Sequence, residues 1–245
     1  MTIQAVVFDA YGTLFDVYSI GALAEQLYPG QGAAISVLWR DKQIDYTRLI
    51  TMSDPHRTEG SQHYQSFWDI TRSALLYTLE RFKLDAKPEH VDALMSQYAK
   101  LTPFAENLGV LQNLKQRGIT TAILSNGSPA MLHTAVTSAG MSELIDHVIS
   151  VDAIRLFKTS PESYGLVQQT IPVKSADILF VSSNSWDALG ATWFGFTTLW
   201  VNRQHLPFEA IGPKPTFTSR AGLTSCPLIC TRCLVTSSHA RLRVL

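Results

Sequence analysis

At 245 residues with 46% hydrophobic side chains, the chain is long enough to enclose one sizeable core with room for a smaller insert, and it reads as globular. Lysine plus arginine and aspartate plus glutamate balance at 20 each, so no global field draws it to nucleic acid or an anionic membrane surface, and a small-molecule partner is expected. No stretch nears the roughly 20 apolar residues that span a bilayer, Asp9 interrupts the first apolar run before a signal-type segment could form, and the cysteines are confined to Cys226, Cys230 and Cys233. The expectation is a cytoplasmic protein whose main body carries no disulfide.

Ala5-Val6-Val7-Phe8 opens the chain as a short apolar run rich in β-branched and aromatic residues, the pattern of a buried strand in a parallel sheet. Asp9 ends the run and Gly12 marks a tight turn beyond it. From Asp16 to about Leu101 the pattern is helix upon helix. Ile35, Leu38, Trp39, Ile44, Leu49 and Ile50 recur at helical spacing; a second helix covers Phe67 to Leu84, with Ile70, Ala74, Leu75, Tyr77 and Leu79 as its apolar face; a third starts at Pro88 and runs through Val91, Leu94 and Met95. A polar loop rich in turn residues, Ser53 to Ser61, separates the first two.

From Phe104 the texture changes to regular alternation. Helix Val110–Arg117 ends at Gly118, and Ile119–Leu124 follows as a strand. Helix Pro129–Ala139 stops at Gly140 before strand His147–Ser150. Helix Pro161–Thr170 leads to strand Asp177–Val181, and helix Trp186–Phe194 to strand Phe196–Val201. Repeated β-α units predict an α/β fold, a mostly parallel sheet flanked by helices on both faces with right-handed crossovers. The helical segment inserted after the first strand is then a cap over the strand ends. Residues 1–15 and 102–220 form the core in this reading, 16–101 the cap, and 221–245 an atypical tail.

In a parallel sheet the carboxyl ends of the strands face one crevice. The strand ends here supply Asp9, Tyr11 and Thr13; Ser125, Asn126 and Gly127; Lys158; and Ser182, Ser183, Asn184 and Asp187. Taken singly, each has a plain alternative. A strand-end Asp commonly caps a turn, Ser125-Asn126-Gly127 suits a turn before a helix, Lys158 suits a solvated surface, and Asp187 suits the first turn of a helix. Four strand ends carrying matched polar groups favour a catalytic site.

These motifs resemble the haloacid dehalogenase superfamily. D-A-Y-G-T-L-F-D-V from Asp9, L-W-R-x-K-Q-x-x-Y from Leu38 to Tyr46, I-L-S-N-G-S-P from Ile123 to Pro129 and F-V-S-S-N-x-W-D from Phe180 to Asp187 are similar in particular to the L-2-haloacid dehalogenases, also called (S)-2-haloacid dehalogenases, over about Ala5 to Arg203. The resemblance implies a Rossmann-like core with a helical cap. It implies hydrolysis of short-chain 2-haloalkanoates with inversion through a covalent aspartyl ester, without cofactor or metal, in a homodimer. The partners are then a small-molecule 2-haloalkanoate and the halide product.

Carried over position by position, Asp9 is the nucleophile, Lys158 neutralises and orients it, and Asp187 with Asn184 and Lys158 activates water. Thr13, Ser182 and Tyr164 maintain the hydrogen-bond network. Ser125 binds the substrate carboxylate, Arg40 and Asn126 receive the halide, and Tyr11, Ile44, Phe67 and Trp186 surround the alkyl group. Arg40 as a plain surface residue, and Tyr11, Ile44, Phe67 and Trp186 as plain core filling, are the alternatives. Phosphatases of the superfamily carry acids where Tyr11 and Ser183 stand here, and Mg²⁺ favours carboxylate oxygen. A Mg²⁺-dependent phosphohydrolase is therefore the second reading, and a binding or impaired protein the third.

Two departures from the family pattern stand out. Lys158 is followed by Thr159 rather than proline, and the loop from Asp54 to His63 is longer than the family's. The segment Ala221 to Leu245 has no acids and no helical period, which points to a disordered or poorly packed end and to an altered reading frame near Arg220, testable by resequencing the coding DNA. Cys226, Cys230, Cys233 and His239 lack the paired spacing of a zinc site.

Overall fold

A computed structural model describes residues 3–54, 59–226 and 228–229 of the protein. The expected parallel sheet forms at the centre. Strand β1 (Ala5–Phe8) is buried along its whole length and lies between β2 (Thr120–Ser125) and β4 (Ile178–Ser182), with β3 (His147–Ser150), β5 (Thr197–Val201) and β6 (Phe217–Ser219) outside them. The order is β3-β2-β1-β4-β5-β6 and every pairing is parallel. Such burial on both faces is why β1 and β4 are nearly continuous apolar runs rather than alternating ones. Strand order reverses between β1 and β4, which opens a crevice at their carboxyl ends. Phe8 pairs with Ile123 and Val181, so Asp9, Ser125 and Ser182 leave the sheet at nearly one level.

Helices α5 (Asn107–Gln116), α6 (Pro129–Ser138), α7 (Pro161–Thr170) and α8 (Ser185–Phe194) connect the strands. Proline occupies the first turn of α6 and α7, where its missing N–H costs nothing, and the Ser160 hydroxyl caps α7 by accepting from Ser163 N. Between β1 and α5 the described residues form four helices: α1 (Gly21–Leu27), α2 (Gly32–Met52), α3 (Phe67–Arg81) and α4 (Pro88–Tyr98). Both ends of this insert leave the core side by side. Phe15 bridges to Pro103, Asp16 N donates to Thr102 O at 2.8 Å, and Phe104 N donates to Leu14 O at 3.1 Å.

Helix α2 departs from the expected apolar face. Only Ile35 and Trp39 of the expected stripe are buried; Leu49 is 57% exposed, and Leu38, Ile44 and Ile50 are half-buried. The face turned inward carries Ser36, Arg40, Gln43, Thr47 and Thr51 instead, all buried. Its polar groups find partners on α3: Trp39 Nε1 donates to Thr71 O at 2.7 Å and Gln43 Nε2 to Thr71 Oγ1 at 2.8 Å. A cap helix that roofs a polar crevice faces inward with polar residues, which inverts the usual amphipathic rule. Tyr77 of α3 is likewise 39% exposed rather than part of the buried face.

The start of the tail also differs from expectation. Leu223, Cys226 and Ile229 are buried and join the main core, and Arg117 donates to Leu228 O at 3.1 Å, so the segment to Ile229 packs rather than dangles. Cys230, Cys233 and His239 lie outside the described residues, as do residues 55–58 of the polar loop.

Candidate active site

Asp9 leaves the tip of β1 into the crevice and is 5% exposed. Its two oxygens are held differently. Oδ2 accepts from Thr13 Oγ1 at 2.9 Å and from Asn184 Nδ2 at 2.8 Å; Oδ1 accepts from Lys158 Nζ at 3.1 Å. The turn that returns Thr13 to Asp9 runs through Gly12 at φ +95°, a conformation that only glycine takes without strain, and a Cβ there would lie 3.6 Å from the Asn184 amide. Thr13 is fixed in turn, its Oγ1 accepting from Ser183 N at 2.8 Å. Ser182 Oγ accepts from Asn184 N at 3.1 Å, which orients the loop carrying Asn184.

Lys158 bridges the two carboxylates. Its fully buried ammonium lies 3.1 Å from Asp9 and 3.0 Å from Asp187, over the face of Phe180 at 5.1 Å. Burial of this kind is tolerated because the charge is paired twice. Asn126 places the lysine by accepting from Lys158 N at 3.0 Å. Burial pushes the Asp187 carboxyl up to about 6; Lys158 pulls it down, and the negative charge of Asp9 pushes it up again. Tyr164 donates to Asp187 Oδ1 at 2.8 Å, and burial holds this phenol well above its ordinary value, so it stays a neutral donor. The group Asp9–Lys158–Asp187 has one cation between two acids. A further anion entering beside it requires another cation.

Arg40 supplies that cation from α2. It is buried, and its Nη2 donates to Tyr11 O at 3.1 Å and to Asn184 Oδ1 at 3.2 Å, so the cap reaches the strand ends directly. Beside it stands an aromatic wall. Tyr11 packs on Phe67 at 5.7 Å and stacks on Tyr98 at 5.7 Å, and Phe67 meets Phe157 at 6.4 Å. Burial also pushes the Tyr11 hydroxyl above the ordinary phenol range. Gly127, next to Asn126, leaves room for this ring: a Cβ there would lie 2.8 Å from Tyr11 Cε2.

The structure thus gathers Asp9, Thr13, Lys158, Tyr164, Ser182, Asn184 and Asp187 into one network, with Arg40 and Tyr11 joined to it. Ser125 is buried at the tip of β2, with Oγ accepting from Gly127 N at 3.1 Å. Phe67 is buried against Tyr11. Ile44 is half-buried one turn beyond Arg40, and Trp186 is half-buried beneath the Arg48 guanidinium at 5.6 Å, which puts both at the rim. Phe157, Tyr98 and Arg203 stand beside these residues and are not among the expected ones. Arg203 follows the end of β5, and the strand-end rule applied to that strand finds it; Tyr98 closes α4 and gives no local signal. Among the described residues no group of three or more His, Cys, Asp or Glu side chains is placed to hold a metal ion, and no helix is long and apolar enough to cross a membrane.

The model of a haloacid dehalogenase-like hydrolase family matches residues 3–195. Haloacetate dehalogenase H-2 of Moraxella sp. (strain B) is 41% identical over 216 residues, 88% of this chain and 93% of that protein. The (S)-2-haloacid dehalogenase of Pseudomonas sp. (strain YL) is 40% identical, over 87% of this chain and 88% of its own. The crystal structure of L-2-haloacid dehalogenase RSc1362 superposes with a TM-score of 0.86 at 54% identity, covering 90% of this chain and 95% of that one. The enzyme of Xanthobacter autotrophicus with chloropropionic acid covalently bound superposes at 0.80 with 37% identity, again over 90% and 95%. On this likeness the chain belongs to the haloacid dehalogenase-like hydrolases and, among them, to the (S)-2-haloacid dehalogenases.

Proposed function

We propose that the protein hydrolyses short-chain L-2-haloalkanoates to D-2-hydroxyalkanoates through an ester on Asp9. The unequal engagement of the two Asp9 oxygens carries this reading. Oδ1, with the single donor Lys158, keeps a free lone pair and attacks C2 from the side opposite the halogen; the C–X bond breaks and halide leaves with its electrons. Halide is a stable anion and needs no proton, so an aromatic residue at Tyr11 suffices where a phosphatase needs an acid. In the ester, Oδ2 becomes the carbonyl oxygen and retains Thr13 and Asn184 as donors. These stabilise the oxyanion when water adds to the Asp9 carboxyl carbon.

Asp187 takes the proton of that water. The ester C–O bond at the carboxyl carbon breaks, the departing alkoxide takes the proton back from Asp187, and Asp9, released as the acid, gives its proton to solvent; C2 is untouched, so one inversion remains. Arg40 with Asn126 receives the halide, and Ser125 with neighbouring backbone amides holds the substrate carboxylate. The aromatic wall of Tyr11 and Phe67, with Ile44 and Trp186 at the rim, surrounds the alkyl group. Because carboxylate is a weak nucleophile, most of the acceleration comes from holding it in line, where effective molarities of ~10⁵–10⁸ M set the scale. The covalent chloropropionate complex of the Xanthobacter relative supports the ester step.

Incubation with each enantiomer of 2-chloropropionate in ¹⁸O-labelled water, with and without EDTA, tests the proposal. EDTA-resistant chloride release from the L form alone, with one ¹⁸O in the Asp9 peptide after a single turnover, is expected. Metal-dependent release of phosphate from p-nitrophenyl phosphate, with no chloride release, overturns it. We read the protein further as a cytoplasmic homodimer. Support comes from the family and, for the dimer, from apolar side chains on the outer cap surface: Val37, Leu49 and Met52 are 50%, 57% and 81% exposed. Sedimentation at micromolar concentration tests the dimer.

A further inference from the structure

Arg40 and Asn184 also line a cavity of about 260 Å³, shared among others with Gly12, Val17, Phe104, Ser183, Arg203 and Leu206. At ~30 Å³ per water, it has room for a molecule of six heavy atoms such as 2-chloropropionate. Three of its lining residues carry buried polar atoms with no hydrogen-bond partner: Arg40 Nη1, Ser183 Oγ and Arg203 Nε. Unused buried donors are costly, and guanidinium donors most of all. Arg203 is held rigidly. Its Nη1 donates to Glu106 at 2.7 Å, its Nη2 to Thr13 O at 3.2 Å, and its plane lies 3.7 Å from the centre of the Phe104 ring.

From this geometry we infer that the cavity is a vestibule that binds the carboxylate of a short-chain acid before it reaches Asp9, with Arg203 as the recognition residue. The inference rests on the proposed activity for its substrate. Two acids adjoin the space, Asp16 and Glu106, and offset the two guanidiniums in formal charge. Both already accept donors, Asp16 from Tyr18 N at 2.9 Å and Glu106 from Arg203. The unused donors of Arg40, Arg203 and Ser183 therefore define the site, not the net field. Val17, Phe104 and Leu206 supply an apolar wall that suits an alkyl group and that a bare halide does not require.

Arg203→Gln is expected to raise KM for L-2-chloropropionate about ten-fold, with kcat and the single-turnover rate of ester formation at saturation within about two-fold. Glu106→Gln, which frees the guanidinium without removing it, leaves KM unchanged or lower. Leu206→Trp fills the cavity from a half-exposed position and raises KM as Arg203→Gln does, which keeps the test alive if Arg203→Gln does not fold. Propionate has no leaving group, so its protection of the wild-type protein against thermal unfolding reads binding without turnover. That protection weakens several-fold in Arg203→Gln and persists in Glu106→Gln.

A fall in kcat and ester formation at constant KM in Arg203→Gln, or an equal rise of KM in Glu106→Gln, makes Arg203 a prop for the Thr13 turn and overturns the vestibule. Unchanged KM in Leu206→Trp overturns it as well, and so does protection by sodium bromide equal to that by propionate. Failure of the dehalogenase reading shows separately, as propionate protection that depends on Arg203 without chloride release.

Discussion

At the level of single residues, the site works by giving each charged atom a fixed set of partners. Asp9 is the group without substitute. Asp9→Asn keeps the shape but removes the negative charge that Lys158 and the attack on carbon require, and kcat should fall by roughly 10⁴ or more, measured as chloride release on freshly purified protein. In the proposed role of base, Asp187 works only as its carboxylate. Burial sets its pKa at about 6, so kcat is expected to rise with pH through that value and to level off above it. The sign follows from the role: a base lost to protonation at low pH slows water attack, not halide departure. Asp187→Asn should therefore let the ester accumulate, visible as added mass on the intact protein. A pH profile flat between 5 and 7 would count against Asp187 as the base.

Legibility at this scale depended on position. Strand-end polar residues show in a sequence because an apolar run stops abruptly at them, and Asp9, Ser125, Ser182 and Asp187 all sit at or just beyond such stops. Tyr98 stacks on Tyr11 and Phe157 packs on Phe67, but both look like any other core aromatic, since nothing local distinguishes a ring that packs on the aromatic wall from one that packs on leucine.

Among the elements, α2 and α8 do most to shape the site. Helix α2 turns a row of polar side chains inward, and of its expected apolar stripe only Ile35 and Trp39 are buried, so periodicity alone misassigns its face. Arg40→Lys retains the charge and loses the fork that reaches Tyr11 O and Asn184 together; kcat/KM is expected to drop about 10²-fold, checked by steady-state kinetics with L-2-chloropropionate. Helix α8 carries Asp187 and, one turn later, Gly190. A Cβ at Gly190 would press on the Tyr164 hydroxyl and lie 2.8 Å from Thr159 Cγ2. Gly190→Ala should cost ~1–3 kcal/mol in stability through overpacking, seen in denaturant unfolding, and should loosen the Tyr164–Asp187 hydrogen bond.

Across the whole molecule, the sheet order brings together groups from opposite ends of the chain. Lys158 and Asp9 are 149 residues apart in sequence, yet their side chains meet at 3.1 Å because β1 lies between β2 and β4. The same long-range closure incorporates the first part of the tail. Leu223 is fully buried in the common core, so Leu223→Ala is expected to destabilise the protein by ~2–5 kcal/mol, measured by thermal unfolding; a negligible change would show that the segment adds nothing to the core.

The amino-acid order by itself determined the alternation of strands and helices, the inserted cap and the chemical types at the strand ends, because periodicity, turn residues and motif spacing are local properties of a chain. Only the tertiary structure decided which face of α2 looks inward, that Leu223, Cys226 and Ile229 belong to the core, and that Arg203 borders a cavity beside Asn184. Each of these depends on what a residue packs against elsewhere in the chain, and burial of a side chain is a property of its neighbours rather than of its own segment.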